Sequence, residues 1–185
     1  MYLLLSLCAS LQISMDDKQN FTALLSKVIL PKVEIIAAVI TSIGFVLNYL
    51  KQSGAAELIM IGLSTLASVF FVTGFLLPPT IEKTLPEETP KTFVDLLVLI
   101  LWKVMHIALA VSTIGLLLYL LHLKGFSQMM LIGTLTLAVA LLSAGFIILQ
   151  KNNYLALFKT TLIKVLMMVI IGTYILYINW GLITS

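Results

Sequence analysis

The chain has 185 residues, 61% of them hydrophobic and 10% charged, with a mean hydropathy of +1.13. A water-soluble domain carries about 25% charged residues, so a single soluble core is excluded, and a net charge of +3 without a basic cluster argues against nucleic acid as a partner. One cysteine, Cys8, excludes a disulfide framework or a thiolate zinc site, and all eleven basic residues are lysines, which leaves no arginine for bidentate clamps.

What remains is an all-α, polytopic membrane protein, since a spanning helix needs roughly 20 mostly apolar residues and five stretches meet that requirement. Met1–Ser14 comes first; it is apolar but short and has no basic region before it, so it makes a poor signal peptide. Leu7 before Cys8 is too large for a lipoprotein cleavage site, and Met15-Asp16-Asp17-Lys18 reads as an alternative polar start. Phe21–Leu30 is expected to lie as an amphipathic helix in the headgroup region, with Pro31 marking the point where the chain turns inward. Residues 1–31 thus form an amino-terminal segment.

The first helical hairpin is expected over 32–77, with spans Val33–Leu50 and Leu58–Leu77 joined by Lys51-Gln52-Ser53-Gly54. A short polar turn with a glycine forces its two helices to be antiparallel neighbours. The segment 78–92 carries Pro78, Pro79, Pro86 and Pro90 with five charges, which suits a loop outside the membrane. The second hairpin occupies 93–150. Lys103 and His106 interrupt its start, so Phe93–Trp102 reads as a second interfacial lead-in and the span as running from about Val104 to Leu121. His122-Leu123-Lys124-Gly125 makes the turn and Met129–Leu149 the return span. In 151–185 a third lead-in, Tyr154–Lys164, precedes the fifth span, Leu162–Trp180.

Lysine placement orients these spans. Lys18, Lys27, Lys32, Lys83, Lys91, Lys103, Lys151, Lys159 and Lys164 fall on one side, and only Lys51 and Lys124 on the other. The positive-inside rule then places the amino terminus in the cytoplasm, with both tight turns and the carboxyl terminus outside.

The chain also repeats itself. An offset of 71 superimposes 32–76 on 103–147 without gaps, with 16 identities in 45 pairs. They include Gly44/Gly115, Gly54/Gly125, Gly62/Gly133 and Gly74/Gly145, and the runs Ile61-Gly62/Ile132-Gly133 and Thr65-Leu66-Ala67/Thr136-Leu137-Ala138. Both copies begin on the same side, so the repeat is parallel. Lys164-Val165 and Ile178-Asn179-Trp180-Gly181 mark the fifth span as a shortened third copy of the first helix. Glycines shared in this way, and Ala140 with Ala144, point to close helix packing, because in lipid small residues let backbones approach.

Ile-Gly-x-x-Leu, a turn ending in glycine, and Ile61-Gly62-Leu63-Ser64-Thr65-Leu66-Ala67-Ser68-Val69-Phe70-Phe71 together resemble the transmembrane hairpin of the GldL family, motor subunits of gliding motility and type IX secretion. The resemblance covers 32–77 and 103–148. The family's turn, Lys-x-x-His-Trp-Pro-Gly, is matched by His122 and Gly125, echoed by Trp180-Gly181, and reduced to Gly54 in the first copy. This resemblance implies a bacterial inner (cytoplasmic) membrane location and a membrane partner. The family's proton-handling glutamate follows the threonine of this pattern; Leu66 and Leu137 stand there instead. With the carboxyl terminus expected outside, no counterpart of the motor's cytoplasmic tail is expected either.

Ionisable groups within spans are the default candidates for function. Glu34 near Lys32 and Asp95 near Lys91 read as interfacial pairs, and Glu57 as an acid at the positive end of the second span. His106 reads as interfacial, one turn from Lys103, and lies about four turns from His122. Asn48 is the one deep amide in need of a partner. The hydroxyls of Thr41, Ser42, Ser64, Thr65, Ser68, Ser112, Thr113, Thr134 and Thr136 can bond to their own helices, and Trp102, Tyr174, Tyr177 and Trp180 suit an interfacial belt. No cluster has metal spacing, no glycine loop suits a phosphate and no nucleophile stands beside a base. The sequence therefore assigns no catalytic, cofactor-binding or metal residue, no enzymatic activity and no small-molecule substrate. Two functions stay open: a structural subunit that associates with itself or another membrane protein, or a small channel or ion-coupled transporter.

Overall fold

The computed structural model describes residues 24–76, 93–150 and 155–179. The apolar start, the proline-rich loop and the tail from Trp180 lie outside them. Five helices follow in order: α1 (Leu30–Tyr49), α2 (Ala55–Phe75), α3 (Phe93–Leu120), α4 (Phe126–Gln150) and α5 (Leu155–Ile178). All five are long and apolar enough to cross a bilayer, so by length and hydropathy this is a multi-pass membrane protein. Each hairpin packs α1 on α2 and α3 on α4. In addition, α2 packs on α3, and α5 lies against α4 and α3. The centre of the bundle is α3, with 56% of its span buried against 22–33% for the other four.

The two tight turns are copies of one another at atomic detail. In the first, Gln52 N–H donates to Leu47 O at 2.9 Å and Lys51 N–H to Asn48 O at 3.1 Å; in the second, Leu123 N–H donates to Leu118 O at 2.9 Å and His122 N–H to Tyr119 O at 3.1 Å. This crossed pair of bonds is the Schellman end, which satisfies carbonyls left open by the helix terminus. Its left-handed residue is Lys51 or His122, each at φ 53°, and Gly54 and Gly125 then reverse the chain at φ 89° and 90°. Only glycine enters that conformation without a steric penalty.

With its turn fixed, each hairpin is fixed in register. A Cβ on Gly62 would lie 2.9 Å from Thr41 N and one on Gly133 2.9 Å from Ser112 N. Likewise, a Cβ on Gly44 would lie 3.0 Å from Ile59 N and one on Gly115 2.9 Å from Met130 N. The helices therefore touch backbone to backbone at two glycines per hairpin, and every pair obeys the 71-residue offset. Ala140 and Ala144 are buried in the same seam of the second hairpin.

Two of the three lead-ins differ from expectation, and of the first, Phe21–Leu30, residues 21–23 lie outside the described residues. Phe93–Trp102 is not a separate interfacial helix but the first part of α3, a continuous 28-residue helix about 42 Å long. Its apolar residues have protein partners, since Val98, Leu101 and Trp102 are buried in one cluster with Ala144, Ile147 and Phe158. Tyr154–Lys164 is likewise drawn into α5 from Leu155, where Phe158 and Thr161 are buried. Pro31 does not turn the chain. It sits in the first turn of α1, and a π-helical turn, Leu25–Ile29, runs into it without a break. The wider turn is consistent with a residue that has no N–H and whose ring crowds the preceding carbonyls.

These contacts predict that Gly62→Ala and Gly133→Ala destabilise the protein by similar amounts. Because the facing atoms include the backbone N and Cα of Thr41 and Ser112 as well as their hydroxyls, a side-chain rotation alone cannot make room, and each cost is expected at about 1–3 kcal/mol, measured by reversible unfolding in mixed micelles.

Candidate functional site

The span region gathers three ionisable side chains from three helices. Glu34, in the second turn of α1, forms an ion pair with Lys164 of α5, the side chains being 25% and 36% exposed respectively. The Lys164 ammonium also lies 5.8 Å from the ring centre of Phe70 on α2, a cation–π contact. Both charges fall within the apolar spans Leu30–Tyr49 and Phe158–Ile178. His106 of α3 is buried against Gly74 of α2, one turn from Phe70.

His106 is held from several directions. Its Nδ1 lies 2.9 Å from Trp102 O, its ring packs at a tilt of 41° on the Trp102 indole with 4.3 Å between centres, and Gly74 of α2 leaves room for its Cβ. Trp102 in turn packs against Phe158 of α5, at 6.3 Å. Four helices thus meet at one end of the bundle around a charged pair and an imidazole. Such an arrangement can hold charge inside the membrane, since each ion offsets the desolvation of the other.

Several sequence expectations change here. Glu34 pairs with Lys164, 130 positions away in the chain, and not with the exposed Lys32. His106 is not in a first turn: it lies thirteen residues into α3, about 20 Å along the helix. Trp102 is a core residue, 8% exposed, not part of an interfacial belt. Asn48 is not deep; it is exposed in the last turn of α1, where its carbonyl accepts from Lys51 N–H. Glu57 does lie in the first turn of α2, and Tyr174 and Tyr177 are exposed towards the end of α5. The side chain of Asp95 and the whole of Trp180 lie outside the described residues. Leu137 is fully buried in the core and Leu66 half-buried.

Most hydroxyls bond back to their own helix. Thr41 donates to Ala37 O, Ser42 to Ala38 O, Ser64 and Thr65 to Ile61 O, Ser68 to Ser64 O, Thr113 to Leu109 O and Thr136 to Ile132 O. Ser112 and Thr134 differ: their buried oxygens face Gly133 and Gly172 and, like Trp102 Nε1, have no hydrogen-bond partner among the described residues. The Glu34–Lys164 pair escaped the sequence because nothing local joins its members. Its one trace is that Lys164 begins the third copy of the Lys-Val start shared with Lys32 and Lys103.

A double-mutant cycle tests this site. Glu34→Gln and Lys164→Met are each expected to destabilise the protein by about 1–3 kcal/mol, between the values for exposed and buried pairs. The double variant is expected to lose less than the sum, because neither charge is then left alone. Additive losses would show that the pair contributes nothing.

Comparison with protein-family models, curated proteins and solved structures finds no match to this chain.

Proposed function

We propose that the protein is a structural or partner-binding subunit of a membrane assembly, in which the hairpins serve as packing modules. The observation that carries this reading is the use made of its polar groups. Nearly all the hydroxyls in the spans bond to their own helices, and Glu34 and Lys164 close on each other, so these groups join or stiffen helices. The resemblance to the GldL hairpin supports the same role. A relative with leucine at 66 and 137 in place of the motor's acid would support an assembly without driving it, in a bacterial cytoplasmic membrane.

Orientation rests on the lysines. The hairpins place the starts of α1, α3 and α5 on one face, with Lys32, Lys103, Lys159 and Lys164 towards that end, and this face is proposed to be cytoplasmic. The turns at Gly54 and Gly125 would then lie outside. On a Cys8→Ser background, Ser53→Cys and Ser185→Cys are expected to react with an impermeant thiol reagent in intact cells, and Thr84→Cys only after lysis. The opposite order would invert the topology.

One observation favours a second reading, an ion-coupled transporter: the Glu34–Lys164 pair and the buried His106 all lie within the spans. A flux experiment separates the two. Proteoliposomes are expected to hold a pH gradient as well as empty vesicles do. A leak abolished by Glu34→Gln or His106→Gln would favour transport.

A further inference from the structure

Gly74 and Gly145 are the same residue of the repeat in different surroundings. A Cβ on Gly74 would lie 3.2 Å from His106 Cβ and 3.5 Å from both Ile107 Cγ1 and Lys103 O, so α3 lies directly on this glycine of α2. Gly145, at the same place on α4, is exposed and has nothing within 4 Å among the described residues. The helix that follows α4 does not cover it. Instead, α5 approaches α4 at another level, with Gly172 against Thr134. An uncontacted glycine inside a helix costs about 1 kcal/mol relative to alanine, and its usual service within a span is to admit a second backbone.

The complementary surface is open too. Where α3 covers Gly74 with His106 and Ile107, α1 carries Ile35 and Ile36 at the same repeat positions, 65% and 58% exposed. Val39, 52% exposed, stands where α3 has the buried Ala110. Around these positions both helices have the same sequence, Lys32-Val33-x-x-Ile36-Ala37 and Lys103-Val104-x-x-Ile107-Ala108. The chain therefore contains one filled copy of the α2–α3 contact and both halves of an unfilled one, on helices at different places in the bundle.

We propose that the unfilled contact is made between two copies of this chain, α1 of one lying on the Gly145 face of α4 of the next as α3 lies on α2. The parallel repeat allows it without inverting either molecule, because α1 and α3 begin on the face where α2 and α4 end. The contact is heterologous, so each copy keeps one free half and the assembly grows into a closed ring or an open row. This inference rests on the assembly role proposed above and names the partner.

Cross-linking in native membranes tests it, using the full chain with Cys8→Ser. The His106–Gly74 contact, 3.2 Å between Cβ positions, is close to the roughly 3.5–4.5 Å of a disulfide, and its counterpart between copies is Ile35–Gly145. A chain carrying both Ile35→Cys and Gly145→Cys is expected to give, on oxidation, a ladder of dimers and higher multimers, and either substitution alone only monomer. No ladder, or an equal yield from a single variant, would overturn the proposal. In detergent, Gly145→Leu is expected to convert oligomers to monomers without lowering the unfolding temperature, because the monomer has open space there. Oligomers unchanged by Gly145→Leu and not trapped through positions 35 and 145 would overturn this contact and leave the assembly role standing. Wild-type protein that is monomeric in membranes and passes ions would end both.

Discussion

Apolar side chains gain nothing from leaving lipid tails for one another, so helices in a bilayer stay together only where they fit closely enough for dispersion and polar contacts to accumulate. In this protein that fit is made by glycine against backbone. Thr41 lies over Gly62 and Ser112 over Gly133, and Gly44 and Gly115 receive the opposite helix one turn nearer the bend. The register depends on the turns. Lys51 and His122 end their helices in the same left-handed conformation, and Gly54 and Gly125 reverse the chain three residues later. A turn longer by one residue would carry each glycine off its partner by about 100° of helix rotation, given 3.6 residues per turn.

Once both hairpins are built, their remaining faces decide the rest of the bundle. Gly74 lets α3 lie on α2, which buries His106 and places α3 at the centre. The fifth helix then ties the bundle together at one end. Phe158 enters the core beside Trp102, and Lys164 reaches across Phe70 to Glu34 on the first helix. One ion pair thus links α1 and α5, and the two charges that are costly in lipid are held against each other.

Much of this was legible in the sequence, and what was not has a common cause. Spans, tight turns and the repeat rest on local pattern: runs of apolar residues, a polar tetrad ending in glycine, an offset that aligns every glycine of the hairpins. The lead-ins misled because a helix with lysines on one side reads the same whether those lysines meet headgroups or a carboxylate on another helix. Lys164 belongs to the second case, and the neighbouring Phe158 and Thr161 meet protein, not lipid. Trp102 and His106 looked interfacial for the same reason, since only tertiary contact shows that α4 and α5 extend far enough to cover them. Gly145 was the reverse case. Its identity with Gly74 implied equal packing, and the structure separates the two because α5 departs from the path α3 takes.

The closeness of the two hairpin crossings is the central physical claim, and a high-resolution structure in lipid nanodiscs measures it directly. The backbones should be in contact at Thr41–Gly62 and at Ser112–Gly133, with the two turns superimposable through Lys51 and His122. Helices separated by a layer of side chains at either glycine, or two crossings at different registers, would contradict it.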